Sequence, residues 1–223
     1  MPTTGPMRWF RIAFVATSMG MAIGATTASA SNSASLGAPL QRVVLRPSQV
    51  GPGYVLKVIP GGRSVQGQVT LDMCGFRFGS EDRRTERLQA VYVRRGSKLA
   101  LSNEVVSYRP GGAEYAMREV AQAIRTCPRQ PVPSAVRGVP SLSYRIAVLS
   151  SAGKRLLRGA IVMRVTVSGT LRGKTKTETT FVVYQRSGDI LSGIYVYGGS
   201  LKSRRELAFA ASAQSARNLK RHL

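Results

Sequence analysis

Apolar side chains recur every three or four positions between residues 112 and 127, which predicts an amphipathic helix that Pro128 ends. Its apolar stripe consists of Ala113, Ala116, Met117, Val120, Ile124 and Cys127, and its polar stripe carries Glu114, Arg118, Gln122 and Arg125. A second helix is predicted from Leu201 to Lys220, with Ser200 as its N-cap. Pro47 is placed to start a single helical turn.

Other stretches alternate between apolar and polar residues at every second position, as β-strands do. The predicted strands are 65–71, 88–93, 99–109, 142–148, 161–168, 181–186 and 190–197. Short polar links at 95–98 and 186–189 favour antiparallel hairpins. The late strands are expected to have one apolar and one mixed face, and Asn103 and Glu104 to lie on opposite faces. This order of elements predicts an α+β fold in which an antiparallel β-sheet packs with amphipathic helices.

The N-terminus has the pattern of a secretory signal peptide. Arg8 and Arg11 precede an apolar run at 12–25, and small residues ending at Ala30 form the predicted cleavage site. The chain therefore divides into a signal peptide (1–30), a flexible lead (31–40) and a folded domain (41–223). The n-region lacks an arginine pair and no cysteine lies near the cleavage site, so we expect general secretion and no lipid anchor. After residue 31 no apolar run approaches the length of a transmembrane helix.

Cys74 and Cys127 are the only cysteines, and in an oxidising compartment such a pair predicts a disulfide bond. Closing a loop of about 54 residues would stabilise the fold by roughly 4 kcal/mol. The only histidine, His222, stands next to the last residue. The sequence therefore excludes a Ser-His-Asp site, a Cys-His site and the usual zinc sites within one chain, and no metal or cofactor is expected. Asp72 and Glu104 are the only carboxylate pair that we nominate for glycoside chemistry.

The charge is strongly positive: 33 Lys and Arg stand against 10 Asp and Glu, a formal charge of +23. Without residues 1–30, which contain two arginines, the charge is +21. For an exported protein this favours an anionic envelope polymer, a lipid or a small amphiphile as partner, and not nucleic acid. Codon bias towards arginine explains the same charge equally well.

Tyrosines mark the late strands. Tyr195 and Tyr197 share one face, and Tyr184 lies on the preceding strand. They fill the contact between sheet and helix, or they line a ligand cleft, and the sequence leaves both interpretations open.

Four strings carry a family resemblance: LRPSQVGPGY (45–54), TLDMCGFRFGSE (70–81), SNEVVSYRPGGA (102–113) and TCP (126–128). They resemble the extracellular sensor-type domain of actinobacterial proteins, a family that includes the sensor region of the mycobacterial Ser/Thr kinase PknH. The resemblance implies a secreted α+β domain of PsbP-like layout with a ligand cleft, and it supplies no catalytic residues. This chain departs from the kinase sensor in having one cysteine pair where the sensor has two disulfides, and in lacking a kinase domain and a transmembrane helix.

The leading hypothesis is an exported, non-enzymatic, sensor-like domain with a basic cleft for an anionic or amphiphilic ligand. The candidate cleft residues are Tyr108, Arg109, Tyr184, Tyr195 and Tyr197. Two alternatives stay open: an enzyme that acts on envelope glycan or polymer, and a structural cell-wall protein retained by charge. The sequence does not determine the oligomeric state.

Overall fold

The computed structural model describes residues 38–134, 138–151 and 155–222. The predicted signal peptide, its cleavage site at Ala30 and most of the predicted lead lie outside the described residues. The helices are α1 (Ala38–Val43), α2 (Pro47–Val50), α3 (Gly112–Arg125) and α4 (Leu201–His222), with a 3₁₀ turn at Gly79–Arg83. The strands are β1 (Tyr54–Lys57), β2 (Arg84–Arg94), β3 (Ala100–Tyr108), β4 (Val132–Pro133), β5 (Ser141–Val148), β6 (Ile161–Leu171), β7 (Lys174–Ser187) and β8 (Ile190–Tyr197).

The strands form one eight-stranded sheet in the order β1-β2-β3-β8-β7-β6-β5-β4, and every neighbouring pair is antiparallel. The last strand, β8, lies between the N-terminal hairpin and the C-terminal meander. It pairs with β3 from Ala100 opposite Tyr197 to Ser107 opposite Ile190. The predicted α+β class and its antiparallel sheet are confirmed.

Both faces of the central strands are buried, which corrects the expectation of one apolar and one mixed face. On β8, Leu191 and Tyr195 belong to the core on the side of α3, which we call the α3 face. Ile194 and Val196 belong to the core on the opposite side, which we call the α4 face. Helix layers on both sides of the sheet explain why β8 shows little alternation in burial.

The predicted strand at 65–71 is absent, because a side chain takes the place of a neighbouring strand. The carboxylate of Glu81 accepts hydrogen bonds from the backbone N–H groups of Thr70 and Leu71, at 3.0 and 3.1 Å. Gly67 has a φ of +70°, outside the β region. Residues 58–78 therefore form an irregular segment between β1 and the 3₁₀ turn.

The start of the ordered chain also differs from the prediction. Helix α1 begins at Ala38, inside the stretch expected to be a flexible lead, and Leu40 is 1% exposed. Two short strands, β1 and β4, were not predicted, because they contain four and two residues. Short elements carry too few alternations for a pattern to appear.

The disulfide between Cys74 and Cys127 is present, with the two Cα atoms 5.1 Å apart. Cys127 follows α3, which ends at Arg125 where the periodicity predicted residue 127. Because Cys74 lies in the irregular segment 58–78, the bond ties that segment to the end of α3. Both strands of the predicted 88–109 hairpin are present as β2 and β3.

None of the helices in the described part of the chain is long and apolar enough to span a membrane.

Candidate functional site

Two of the candidate cleft tyrosines, Tyr184 and Tyr195, lie in the core between the sheet and α3, which agrees with the first of the two interpretations left open by the sequence. Tyr184 and Tyr195 are 2% and 4% exposed, and their hydroxyl groups are hydrogen-bonded at 3.0 Å. Their rings pack edge to face with centroids 5.8 Å apart. The Tyr195 hydroxyl also lies 3.4 Å from the carbonyl oxygen of Thr70 in the irregular segment. Burial raises the pKa of both phenols, so they remain protonated and neutral.

The other predicted cleft residues lie apart from one another. Tyr108 is buried at the end of β3, Arg109 follows it on the surface, and Tyr197 is half-buried opposite Ala100 at the start of β3. Burial raises the pKa of Tyr197 to about 12. Eight residues of strand separate the two ends of β3, which is about 27 Å. The five candidate residues therefore do not form one open cleft in this structure.

The nominated carboxylate pair does not face a common cleft either. Glu104 is 1% exposed and is held by the guanidinium of Arg87 and by the Thr70 hydroxyl at 3.0 Å. Asp72 is exposed. Within residues 38–134, 138–151 and 155–222, no group of three or more His, Cys, Asp and Glu is placed to hold a metal ion. Glu104 therefore forms a buried ion pair with Arg87.

A concave site does exist on the α4 face, in a different place from the predicted one. It is an open groove of about 680 Å³ beside the N-terminal end of α4. The residues that line it are Leu149, Arg164, Phe181, Leu201, Lys202, Arg205, Glu206 and Phe209. A volume of this size is typical of small-molecule sites.

The position of α4 explains why the groove is there. Helix α4 packs on β7 and β8, and the groove opens between this helix, Arg164 of β6 and Leu149, which follows β5. Ser200 starts the helix, since its hydroxyl oxygen accepts the N–H of Ser203 at 3.1 Å. Leu201, Arg205 and Phe209 are spaced four residues apart and so share the helical stripe that borders the gap.

Arg204 holds the helix at this position. Its guanidinium donates to the Glu178 carboxylate at 3.0 Å and to the Thr179 carbonyl oxygen, both on β7. It also donates to the Gly199 carbonyl oxygen at 3.1 Å, just before the helix begins. The first turn of α4 is therefore fixed to the sheet, and one wall of the groove is preformed.

The groove combines an apolar floor with a cationic rim. Leu149, Leu201 and Phe209 supply the accessible apolar surface, since Phe181 is only 4% exposed. The guanidinium carbon of Arg205 lies 5.9 Å from the centre of the Phe209 ring. The rim carries Arg164, Lys202 and Arg205, and none of them pairs with a carboxylate among the described residues. Glu206 is the single acidic residue of the lining. Such a site attracts an anion and accepts an alkyl chain.

Two features of the sequence point to this groove, whereas the predicted cleft was placed at the tyrosines. One is the repeat of Leu201, Arg205 and Phe209 on a predicted helix. The other is Arg164, an exposed basic residue on the polar side of an alternating strand. Neither signal shows that the helix stops short of β6, because that depends on where α4 docks.

Comparisons with known proteins add one structural similarity. No family model matches the chain, and no curated protein matches it in sequence. Among solved structures, the chain is similar to the extracellular domain of PknH from Mycobacterium tuberculosis, at 10% identity and a TM-score of 0.44. The match covers 79% of this chain and 94% of that domain.

Proposed function

We propose that this protein is an exported, non-enzymatic binding domain that takes an anionic amphiphile into the groove beside α4. The observation that carries the proposal is the juxtaposition of an apolar floor with three cations that lack carboxylate partners. Burying an alkyl chain on Leu149, Leu201 and Phe209 supplies affinity, because apolar surface leaves water. The cations at the rim select a negative head group.

Two features support a location outside the cytoplasm. The N-terminal residues have the pattern of a cleavable signal peptide without a lipoprotein cysteine, and the disulfide belongs to an oxidising compartment. In that location the anionic partners are envelope lipids and polymers. The proposal includes three expectations that come from the sequence resemblance. They are a sensor-like role, a PsbP-like layout and an actinobacterial origin.

The test is thermal unfolding of the oxidised, exported form with a single-chain anionic lipid, lysophosphatidic acid, at low and at high salt. A saturable rise in the thermal midpoint that persists at high salt is expected. A ligand at 100 times its dissociation constant stabilises the folded state by about 2.7 kcal/mol. Lysophosphatidylcholine, which has the same chain without net negative charge, is expected to bind more weakly.

A matched pair of variants localises the binding to the groove. Lys202→Gln/Arg205→Gln removes two charges at the groove and is expected to weaken binding of lysophosphatidic acid by about tenfold or more. Lys220→Gln/Arg221→Gln removes the same two charges about 27 Å further along α4 and is expected to leave the affinity unchanged. Equal losses in both variants would show that charge alone, and not the groove, retains the lipid.

The structural alternative makes a different prediction in the same experiment. A protein held in the envelope by charge responds to polyanions of any kind, and the response disappears at high salt. That result, or no response to any lipid, would reject binding in the groove.

A further inference from the structure

The α4 face of β5, β6 and β7 continues beyond the groove as an array of hydroxyl groups. Three cross-strand pairs join β6 to β7: Thr166 with Thr179 at 3.0 Å, Ser168 with Thr177 at 2.8 Å and Thr170 with Thr175 at 3.1 Å. In the strand register Ser143 of β5 lies opposite Ser168 and extends the array. We call these seven residues the hydroxyl array.

All seven residues of the array are exposed or half-exposed. The core does not require these groups, because the alternate residues Val165 and Val167 of β6 face the core on the α3 face. Each hydroxyl group offers one donor and two acceptor positions, and a hydroxyl pair uses one hydrogen. Every pair therefore keeps one donor and several acceptor positions for a ligand.

The hydroxyl array is continuous with the groove. Arg164 precedes Thr166 by two residues on β6, Phe181 follows Thr179 by two residues on β7, and Arg164 and Phe181 lie opposite each other in the register. Residues two apart on a strand point to the same face. The surface thus passes from the apolar floor, past Arg164, directly to the hydroxyl groups.

A second cation stands at the boundary. Arg145 of β5 lies opposite Thr166, is exposed, and pairs with no carboxylate among the described residues. From Thr166 to Thr170 the array extends about 14 Å along β6. Along this surface the apolar contacts come first, then the cations and then the hydroxyl groups. An acidic glycolipid has its alkyl chain, its acidic linkage and its polyol head in the same order.

We infer that the groove and the hydroxyl array together bind an anionic glycolipid. Its alkyl chain lies on Leu149 and Phe209, its acidic group among the rim cations and Arg145, and its polyol head on the hydroxyl array. This inference rests on the proposed function, since it assigns the head group of the same ligand. The cations explain why the lipid is acidic, and the hydroxyl pairs explain why its head is a polyol.

The test compares two lipids that differ only in the polyol. Lysophosphatidylinositol and lysophosphatidylethanol of equal chain length are both phosphodiesters with the same charge, and their dissociation constants are measured by calorimetry with the oxidised protein. Lysophosphatidylinositol is expected to bind about tenfold more tightly, because a few neutral hydrogen bonds each contribute about 1 kcal/mol.

Two variants assign that preference to the array. Thr175→Val/Thr177→Val removes two hydroxyl groups while keeping side-chain shape and β-propensity. It is expected to abolish the preference for the inositol lipid and to leave binding of lysophosphatidylethanol unchanged. Thr85→Val, at an exposed position of β2 in the other half of the sheet, is the control and is expected to keep the preference.

Each result separates this inference from the proposed function. Equal affinity for both lipids overturns the glycolipid assignment and leaves amphiphile binding intact. Binding of neither lipid rejects the proposed function, and the inference with it. If free inositol phosphate binds as tightly as lysophosphatidylinositol, the apolar groove takes no part, and the ligand is a soluble polyol instead of a lipid.

Discussion

At the scale of single residues, several carboxylates accept hydrogen bonds from backbone N–H groups, and one of them, Glu81, also pairs with Arg84 at 3.2 Å. Glu119 of α3 accepts the N–H groups of Gly79 and Ser80 at 2.8 and 2.9 Å, where the 3₁₀ turn begins. Asp189 accepts the N–H of Gly111 at 2.7 Å, just before α3. Together with Glu81, three of the ten acidic residues stabilise irregular backbone in this way. Each of these carboxylates accepts hydrogen bonds from backbone N–H groups at a position where no neighbouring strand or helical turn supplies the acceptor.

The buried ion pair of Glu104 and Arg87 gives the first prediction at this scale. Burial raises the pKa of Glu104, and the Arg87 guanidinium opposes that shift. Glu104→Leu leaves Arg87 charged and buried without its partner, so the free energy of unfolding is expected to fall by about 3–5 kcal/mol. Urea unfolding of the oxidised protein measures it.

The double variant Arg87→Met/Glu104→Leu is the control, because it removes both charges together. It is expected to be more stable than the single variant. If Glu104→Leu lowers the free energy of unfolding by less than about 1 kcal/mol, the variant does not leave Arg87 buried with an unpaired charge, which would contradict a buried ion pair.

At the scale of elements, the irregular segment 58–78 is held to the α3 face at several points. Arg87 of β2 donates to the carbonyl oxygen of Gly61 at 3.0 Å, the Thr70 hydroxyl bonds to Glu104, and Cys74 joins Cys127. This segment covers a sheet face that would otherwise be open, and it does so without regular hydrogen bonding of its own.

Removing the disulfide tests how far that cover depends on the covalent tie. Cys74→Ala/Cys127→Ala is expected to lower the free energy of unfolding by about 4 kcal/mol, because the unfolded chain regains the freedom of a long loop. Reduction of the unaltered protein is expected to give a similar loss. Binding in the groove is expected to persist wherever the variant is folded, since the disulfide lies on the α3 face. A loss below about 1 kcal/mol would show that the noncovalent contacts suffice.

Elements with their own periodicity were predicted from the sequence, and those defined by distant partners were not. Helix α3 shows its stripe in every turn, and β5 to β8 alternate or form tight hairpins, so local pattern suffices. Segment 65–71 alternates as well, yet its hydrogen-bond partner is the Glu81 side chain, which no periodicity reveals. The groove depends on where α4 docks across the sheet, and that placement emerges only from the packed structure.

At the scale of the whole molecule, five of the eight tyrosines are buried and the other three, Tyr115, Tyr144 and Tyr197, are half-buried. All eight tyrosine hydroxyl groups have a raised pKa, and burial is the main cause for every one except Tyr115. A hydrogen bond to Glu119 raises the pKa of Tyr115. The single tryptophan, Trp9, lies in the predicted signal peptide. Tyrosine absorbance therefore reports on the folded domain without interference.

This population predicts the response to alkali. Unfolded chains release tyrosine protons near the ordinary pKa of 10.0, whereas the folded protein keeps them. Above that pH the folded state binds more protons than the unfolded state, so stability is expected to fall as pH rises. Tyrosinate absorbance and loss of circular dichroism are expected to appear in one common step.

The denatured protein in concentrated guanidinium is the reference, in which all the tyrosines are expected to ionise near their ordinary pKa. Ionisation of most tyrosines while the circular dichroism of the folded state persists would contradict their burial.

The central position of β8 has a consequence for how the chain reaches its fold. The pairing of Ala100 with Tyr197 closes a very long stretch of chain, and folds dominated by such distant contacts form slowly, in milliseconds to seconds. Until β8 inserts, β3 and β7 both present open strand edges, which are prone to pair with other chains. Strand β8 therefore completes the sheet, and we expect intermediates that lack β8 to be the species most prone to aggregation.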